Sequence, residues 1–404
     1  MKILLVNKYL YPKGGAEIST INTGKLLEKK GHEVYFWGMK HPDNFIYSYS
    51  DLFVDYIDYN VNINLFKKLK LAFNLLYSLE SKAKFEAFIN LVNPDIVHLN
   101  NIYHHLSPSI IDVLKKYDIP AIMTMHDYKM VCPSYLLLSK GKVCEKCKNG
   151  KFYHCLLNKC TKNSLFKSFL NTVEMYLHHN ILKIYDYISC YISPSRFLLN
   201  KIKEMGLKGK VVYLPNFVNI ENFNPQYEWE EESILYVGRL SEEKGVTTLI
   251  KAVKNINLNL KIIGDGPLKK YLIDKVKSEN LKNVKFLGYM KQENLFNLVK
   301  SCMFTVIPSE CYENNPRSVI ESFALGKPVI GARIGGIPEL VKDWETGLTF
   351  ESGNIDDLWE KIIIMLDNKD KIPQMGYNAR KLVEKDFNPE KHYEKLIKIY
   401  EQVI

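Results

Sequence analysis

The chain has 404 residues, 55 basic and 45 acidic side chains, a net charge of +10, and 46% hydrophobic with 25% charged residues, which excludes a disordered or fibrous protein. It is too long for one ordinary core, so two domains, or three, are expected. No run of about 18 uncharged apolar residues occurs, and the start, MKILLVNKYLYP, reads as a strand without a cleavage pattern, so a cytoplasmic rather than exported or membrane-spanning protein is expected.

The charge is uneven. Residues 1–200 hold 25 Lys and Arg against 16 Asp and Glu, and residues 201–404 hold 30 against 29. From Lys129 to Lys167 nine lysines meet a single acidic residue, Glu145, which is either a solvated basic surface or a match for a partner with clustered negative charge. Only five basic residues are arginine (Arg196, Arg239, Arg317, Arg333, Arg380), so an arginine at a motif position suits planar, bidentate recognition.

In chain order, Lys2–Val6 reads as a strand, and Gly14-Gly15 turns the chain into a helix ending near Gly31. Glycines at such a turn let a phosphate approach the backbone, although a plain tight turn reads the same way. Strands are expected at Glu33–Gly38, Asp95–Leu99, Ala121–Met125 and Tyr187–Ile192, and their alternation with helical patterns predicts a parallel α/β sheet. Residues 65–91 and 165–184 are long helical patterns in which Phe166, Phe169, Leu170 and Val173 keep helical spacing, as core packing or contact with a membrane surface would require. His126-Asp127 follows the third of these strands, where a histidine either serves structure or meets a phosphate or sugar hydroxyl.

Next come Cys132, Cys144, Cys147, Cys155 and Cys160, in the spacing C-x11-C-x2-C-x7-C-x4-C. Residues 129–163 show no clear period and read as an insert unable to bury a core of its own. In a reducing compartment the Cys144-x2-Cys147 spacing suits structural zinc held by Cys144, Cys147, Cys155 and Cys160, with free or redox-active thiols as the alternative. A polar connection after Pro215-Asn216 places the domain boundary, giving domains at 1–216 and 217–388 and a final amphipathic helix at 389–404.

The second domain begins with a strand at Ser233–Val237. Gly238-Arg239-Leu240-Ser241-Glu242-Glu243-Lys244-Gly245 follows, putting two cations at a strand end, either on a diphosphate or in a solvated loop. Gly264-Asp265-Gly266-Pro267 lacks the third glycine of a dinucleotide fingerprint, so nicotinamide binding is not supported. Phe304–Pro308 and Pro328–Gly331 read as buried parallel strands flanking a helix, with Asn315 as N-cap and Pro316 at its first position. Glu313 and Glu321 flank that helix start, where Arg317 and Ser318 offer free backbone N–H groups. One anion site between two carboxylates that accept hydroxyls describes a nucleotide-sugar, or else two solvated glutamates.

The string Glu313-Asn314-Asn315-Pro316 through Glu321-Ser322-Phe323-Ala324-Leu325-Gly326-Lys327-Pro328, together with the G-R-x-x-x-x-K-G segment, resembles retaining glycosyltransferases of family 4, the GT-B fold. That resemblance implies an α/β architecture of two Rossmann-like domains facing across a cleft, acceptor on the first and donor on the second, with the C-terminal helix crossing back to the first. It implies Arg239 and Lys244 on the donor diphosphate, Glu313 on the donor sugar, Glu321 on the ribose, His126 on sugar or phosphate, and the backbone at Gly288-Tyr289 facing the base. A nucleotide-sugar donor, no catalytic metal, and a saccharide or lipid-linked saccharide acceptor are expected, on the inner face of an anionic membrane. The family's usual E-G-F-G is replaced here by Glu313-Asn314-Asn315-Pro316. A nucleotide-sugar epimerase of the same fold remains an alternative. A basic zinc-containing nucleic-acid-binding protein is another, although no interleaved aromatic-basic motif supports it and no nucleic-acid partner is expected.

Overall fold

The computed structural model describes residues 1–45, 47–56 and 72–404. Residues 65–71 of the helical pattern at 65–91 therefore lie outside the described residues, and its last part is the helix Leu79–Val92, capped by Ser78.

Contacts divide the chain into two units, one of 1–137, 145–214 and 393–404, the other of 138–144 and 215–392. The first holds strands β1 (Lys2–Val6), β2 (Glu33–Trp37), β3 (Ile96–Leu99) and β4 (Ala121–Thr124). A small antiparallel hairpin, β5 (Leu138–Ser139) with β6 (Lys142–Val143), follows and is grouped with the second unit. The first unit resumes with β7 (Cys190–Ser193) and β8 (Val211–Tyr213), in the sheet order β2-β1-β3-β4-β7-β8. All its pairings are parallel, and β3, β4 and β7 are buried along their whole length, which is why they read as continuous apolar runs.

The second unit holds β9 (Ser233–Val237), β10 (Asn259–Ile263), β11 (Val284–Gly288), β12 (Phe304–Ile307), β13 (Val329–Ala332) and β14 (Gly347–Phe350), in the order β11-β10-β9-β12-β13-β14, again all parallel. In both sheets the strand order reverses once, at β1/β3 and at β9/β12. Such a switch point opens a crevice at the carboxyl ends of the two strands, where open α/β sheets bind ligands. The strand β14 carried too short a signal to be expected.

The last helix, Pro389–Glu401, enters the first unit at Tyr393. There Tyr400 is fully buried, and its hydroxyl meets Nδ1 of the buried His98 at 2.9 Å.

Three expectations are corrected. The helix expected to open with Pro316 begins at Arg317, with Pro316 at the cap position and no side-chain cap. The reason is that Asn315 Oδ1 accepts the N–H of Asn216 at 3.2 Å. The insert does order itself: its helix Tyr153–Leu157 packs on the helix Leu165–Tyr176, and Phe152 and Cys155 are buried between them and their surroundings. Third, the pattern at 165–184 is broken after Tyr176 by a wider turn, Leu177–Ile181, and its apolar stripe faces outward: Leu165, Phe166 and Phe169 are exposed while Ser168, Asn171, Thr172 and Glu174 are buried.

Candidate functional site

At the switch point of the second sheet, β9 is followed by Gly238-Arg239 and β12 by Pro308-Ser309. The chain after β9 returns toward β12 through Gly245, whose φ of +65° and whose position, with a Cβ falling 1.8 Å from the Pro308 carbonyl oxygen, require glycine. This brings Lys244 against the loop that follows β12. Lys244 Nζ donates to Glu313 Oε1 at 2.6 Å, and Ser309 Oγ donates to the same oxygen at 2.6 Å. The Glu313 backbone is clamped by Gly336, whose N–H donates to its carbonyl at 2.7 Å, and by Gly335, where any Cβ would lie 2.3 Å from that carbonyl.

Burial alone would push the Glu313 carboxyl up, but the Lys244 ammonium and the hydrogen bonds from Lys244 and Ser309 hold it below the usual carboxylate range. Burial likewise disfavours the Lys244 cation, yet the charge of Glu313 and the hydrogen bond to it hold Lys244 above the ordinary lysine value. Both groups are therefore charged at neutral pH. Cys311, beside the pair, is pushed up to about 12 by burial and then by Glu313, so it is a neutral thiol.

Arg239 is exposed at the end of β9, and its carbonyl accepts the Tyr236 hydroxyl at 2.9 Å. On the helix Arg317–Ala324, Arg317 donates through Nε at 3.0 Å and Nη2 at 2.9 Å to Glu321 Oε1, one turn along. Its Nη1 is buried with no acceptor among the described residues. A buried donor left this way costs roughly 1–3 kcal/mol, which an oxygen of a ligand would recover. Tyr289 follows Gly288 at the end of β11 and is 77% exposed.

Sequence reasoning thus named Lys244, Glu313, Arg317 and Glu321, and the fold joins them as two ion pairs. It missed Ser309, Tyr236 and the Gly335-Gly336 clamp. Ser309 carries no signal beyond its place at a strand end.

In the first unit, Gly14 is extended and precedes the helix Gly15–Lys29, so the first-turn amides sit at the carboxyl edge of β1. Burial raises the Glu17 carboxyl, while its own backbone N–H and that of Gly14 pull it back, so this side chain already leans on the helix start. His126 lies beyond β4, its Nε2 2.9 Å from Asn100 Oδ1 at the end of β3. Burial lowers His126 to about 4, so it is neutral at physiological pH, with Nε2–H donating and Nδ1 left as an acceptor for a hydroxyl.

The expected zinc ligands are not gathered into one set. Among the described residues no group of three or more His, Cys, Asp or Glu is placed to hold a metal ion. Cys155 instead shares a hydrogen bond with Cys160, which with burial raises its thiol strongly, and Cys132 meets Ser134 Oγ at 3.3 Å. Packing of Phe152 and Cys155 and these side-chain hydrogen bonds hold the insert together in the structure.

A family model described as Glycosyltransferase Family 4 matches residues 13–222, half of the chain, and a second, Glycosyl transferases group 1, matches residues 219–382. The chain belongs to glycosyltransferase family 4. As a family 4 glycosyltransferase it has curated relatives over part and over all of its length. A glycosyltransferase of Methanocaldococcus jannaschii, MJ1178, is 34% identical over 212 residues, 52% of this chain and 59% of that protein, so the match spans less than two thirds of the relative. The N-acetyl-alpha-D-glucosaminyl L-malate synthase of Bacillus anthracis is 24% identical over 401 residues, 98% of this chain and 96% of the relative. Among solved structures, Anabaena HepE in complex with UDP and glucose superposes with a TM-score of 0.69 at 16% identity, covering 100% of both chains, which establishes the GT-B fold for this glycosyltransferase.

Proposed function

We propose that this glycosyltransferase moves a sugar from a nucleotide-sugar to a saccharide or lipid-linked saccharide, with retention of configuration and without a catalytic metal, in cell-surface polysaccharide synthesis. The observation that carries the reading is the Lys244–Glu313 ion pair at the switch point of the second sheet, in the same strand-loop-helix segment as the start of the helix Arg317–Ala324. A cation, free helix amides and hydroxyl-binding carboxylates together suit a sugar diphosphate. The Anabaena protein bound UDP and glucose, which favours a uridine diphosphate sugar here.

In this reading Arg239, Lys244 and the first-turn amides after Asn315-Pro316 receive charge as the diphosphate leaves, a role that preorganised donors fill best. The same two cations supply the positive charge that a divalent metal would. Glu313 holds hydroxyls of the donor sugar. Glu321, presented by Arg317, takes the ribose, and the backbone at Tyr289 faces the base. In the first unit, Gly14 and Gly15 admit a phosphate, and His126 accepts a sugar hydroxyl on Nδ1. Attack from the face of the leaving phosphate gives retention without a protein nucleophile.

The test is turnover of UDP-sugars by Arg239→Ala with Lys244→Ala, and by Arg239→Ala alone because Lys244 also neutralises a buried carboxylate. Loss of one donor to a developing anion costs roughly 2.7–4 kcal/mol, so a loss of at least 100-fold is expected with circular dichroism unchanged. Undiminished turnover in the folded variants overturns the assignment. Conversion of the donor sugar without any acceptor would identify an epimerase instead.

A further inference from the structure

The helix Leu165–Tyr176 is inside out. Leu165 is 58% exposed, Phe166 58% and Phe169 49%, and on the packed helix Tyr153–Leu157 the side chain of Leu157 is 70% exposed. Burying such a side chain is worth about 1.5–3 kcal/mol, so packing alone would turn this face inward. The polar face is held inward by specific partners. Glu174 Oε2 accepts from the buried Lys129 Nζ at 2.7 Å, Asn171 Nδ2 donates to Thr161 Oγ1 at 3.0 Å and the Pro133 carbonyl at 3.3 Å, and Ser168 Oγ accepts the Thr161 N–H at 3.0 Å. The apolar stripe is thus presented outward by the same bonds that order the insert.

We infer that this exposed apolar face and its lysine rim form the surface by which the protein docks on an anionic lipid bilayer. The charge pattern selects that occupant. Lys151, Lys159, Lys162 and Lys167 are exposed around the stripe, and between Glu145 and the fully buried Glu174 the chain has no acidic residue. A second copy would set like-charged rims against each other, with no carboxylate in this segment to offset them. An anionic bilayer offers both halves of the match, headgroups for the lysines at about 1 kcal/mol each and an apolar boundary for Leu157, Leu165, Phe166 and Phe169. No helix among the described residues is long and apolar enough to cross a membrane, so contact made by this face is interfacial.

Docking here bears on acceptor delivery. Lys129, which pins Glu174, also gives its N–H to Asp127 Oδ1 at 2.8 Å, directly after His126. The helix that meets the bilayer is therefore tied to the strand end assigned to sugar binding, as suits an acceptor carried on a lipid. This deepens the membrane-linked part of the proposed function and does not depend on its donor chemistry.

The test is sedimentation of the full chain with phosphatidylglycerol vesicles and with phosphatidylcholine vesicles, at low and high salt, for the wild type, for Phe166→Ser with Phe169→Ser, and for Lys159→Glu with Lys167→Glu. The wild type is expected to bind phosphatidylglycerol only and to be released by salt, and each double variant to bind at least tenfold more weakly. The thermal shift produced by UDP is expected to be unchanged in both, because none of these residues belongs to the donor site; its absence in all three proteins would fault the donor reading alone. Three outcomes overturn the docking surface: no binding by the wild type at low salt, undiminished binding by the variants, or a dimer in the wild type that Phe166→Ser with Phe169→Ser converts to monomer while no protein binds vesicles.

Discussion

Two amphipathic helices in this glycosyltransferase obey the same periodicity and face opposite ways. Arg317–Ala324 buries Val319, Ile320 and Phe323 and turns Arg317 and Glu321 toward the candidate site, whereas Leu165–Tyr176 buries Ser168, Asn171, Thr172 and Glu174 and exposes Leu165, Phe166 and Phe169. A hydrophobic stripe tells that a helix has two faces. Which face is inside depends on what waits there. For the first helix the partners are apolar strands and the helix Ile372–Asp386, and for the second a buried lysine and a set of backbone carbonyls and hydroxyls.

The sharpest way to break this contrast is to truncate the phenylalanines. Phe323→Ala removes a fully buried ring and is expected to cost about 3–5 kcal/mol, read by urea denaturation. A loss under about 1 kcal/mol would mean that this helix is not packed as described.

The counterpart in the first unit is Glu174. Burial alone would raise its carboxyl, but Lys129 and His104 hold it well below the usual carboxylate range. Glu174→Ala strands the Lys129 cation, 3% exposed in its side chain, and is expected to cost about 3–5 kcal/mol. Lys129→Met with Glu174→Leu should recover much of that loss in the same unfolding measurement. If the single and double variants were equally unstable, the ion pair would not be what holds the helix this way up.

Acid titration sharpens the comparison, because the end of β4 sets two opposed groups side by side. Burial lowers His126 from 6.5 to about 4, so its contribution to stability is full above pH 6.5 and is lost as pH falls toward 4. Burial raises Asp127 from 3.8 to about 6, so its contribution is full below pH 3.8 and is lost as pH rises through 6. Each spans about 3 kcal/mol at most, and over pH 6 to 4 they offset. His126→Asn is therefore expected to gain stability relative to wild type on acidification, and Asp127→Asn to lose it, as thermal midpoints at several pH values would report. His179, lowered to about 3 by burial, adds to the acid loss in all three proteins. Parallel pH profiles in the three would refute the opposition.

The smallest effect is the most telling. Phe166→Ser and Phe169→Ser are expected to change stability by no more than about 0.5 kcal/mol each, because both rings already face water. A cost near that of Phe323→Ala would place them in a core.

Much of the second unit was legible because its signals are local. The strand Ser233–Val237, the glycine-flanked cations Arg239 and Lys244, and the carboxylates at 313 and 321 each follow from short-range rules about strands, turns and helix starts. The cap at Asn315 was misplaced by one residue because its side chain was claimed by the backbone of Asn216, 99 residues away in sequence. Ser309 and the Gly335-Gly336 clamp were invisible for the same reason, since each acts on Glu313 through a loop whose path no local pattern encodes. The insert was misread most: lysines, glycines and cysteines gave no period, and its order comes from buried polar bonds to Lys129 and Pro133, upstream of its helices.

By itself the sequence determined the α/β class, the parallel sheets, the membership of glycosyltransferase family 4 and the residues at the switch point of the second sheet, because alternating apolar runs, glycines and charges act within a few residues of where they stand. Only the tertiary structure decided that Lys244 and Glu313 meet, that His126 is neutral against Asn100, that the cysteines form no four-ligand set, and that the stripe at Leu165–Phe169 faces solvent. Each of those depends on burial and on partners far away in the chain, and a side chain's charge, its pKa and its inward or outward sense follow from what surrounds it rather than from its neighbours in sequence.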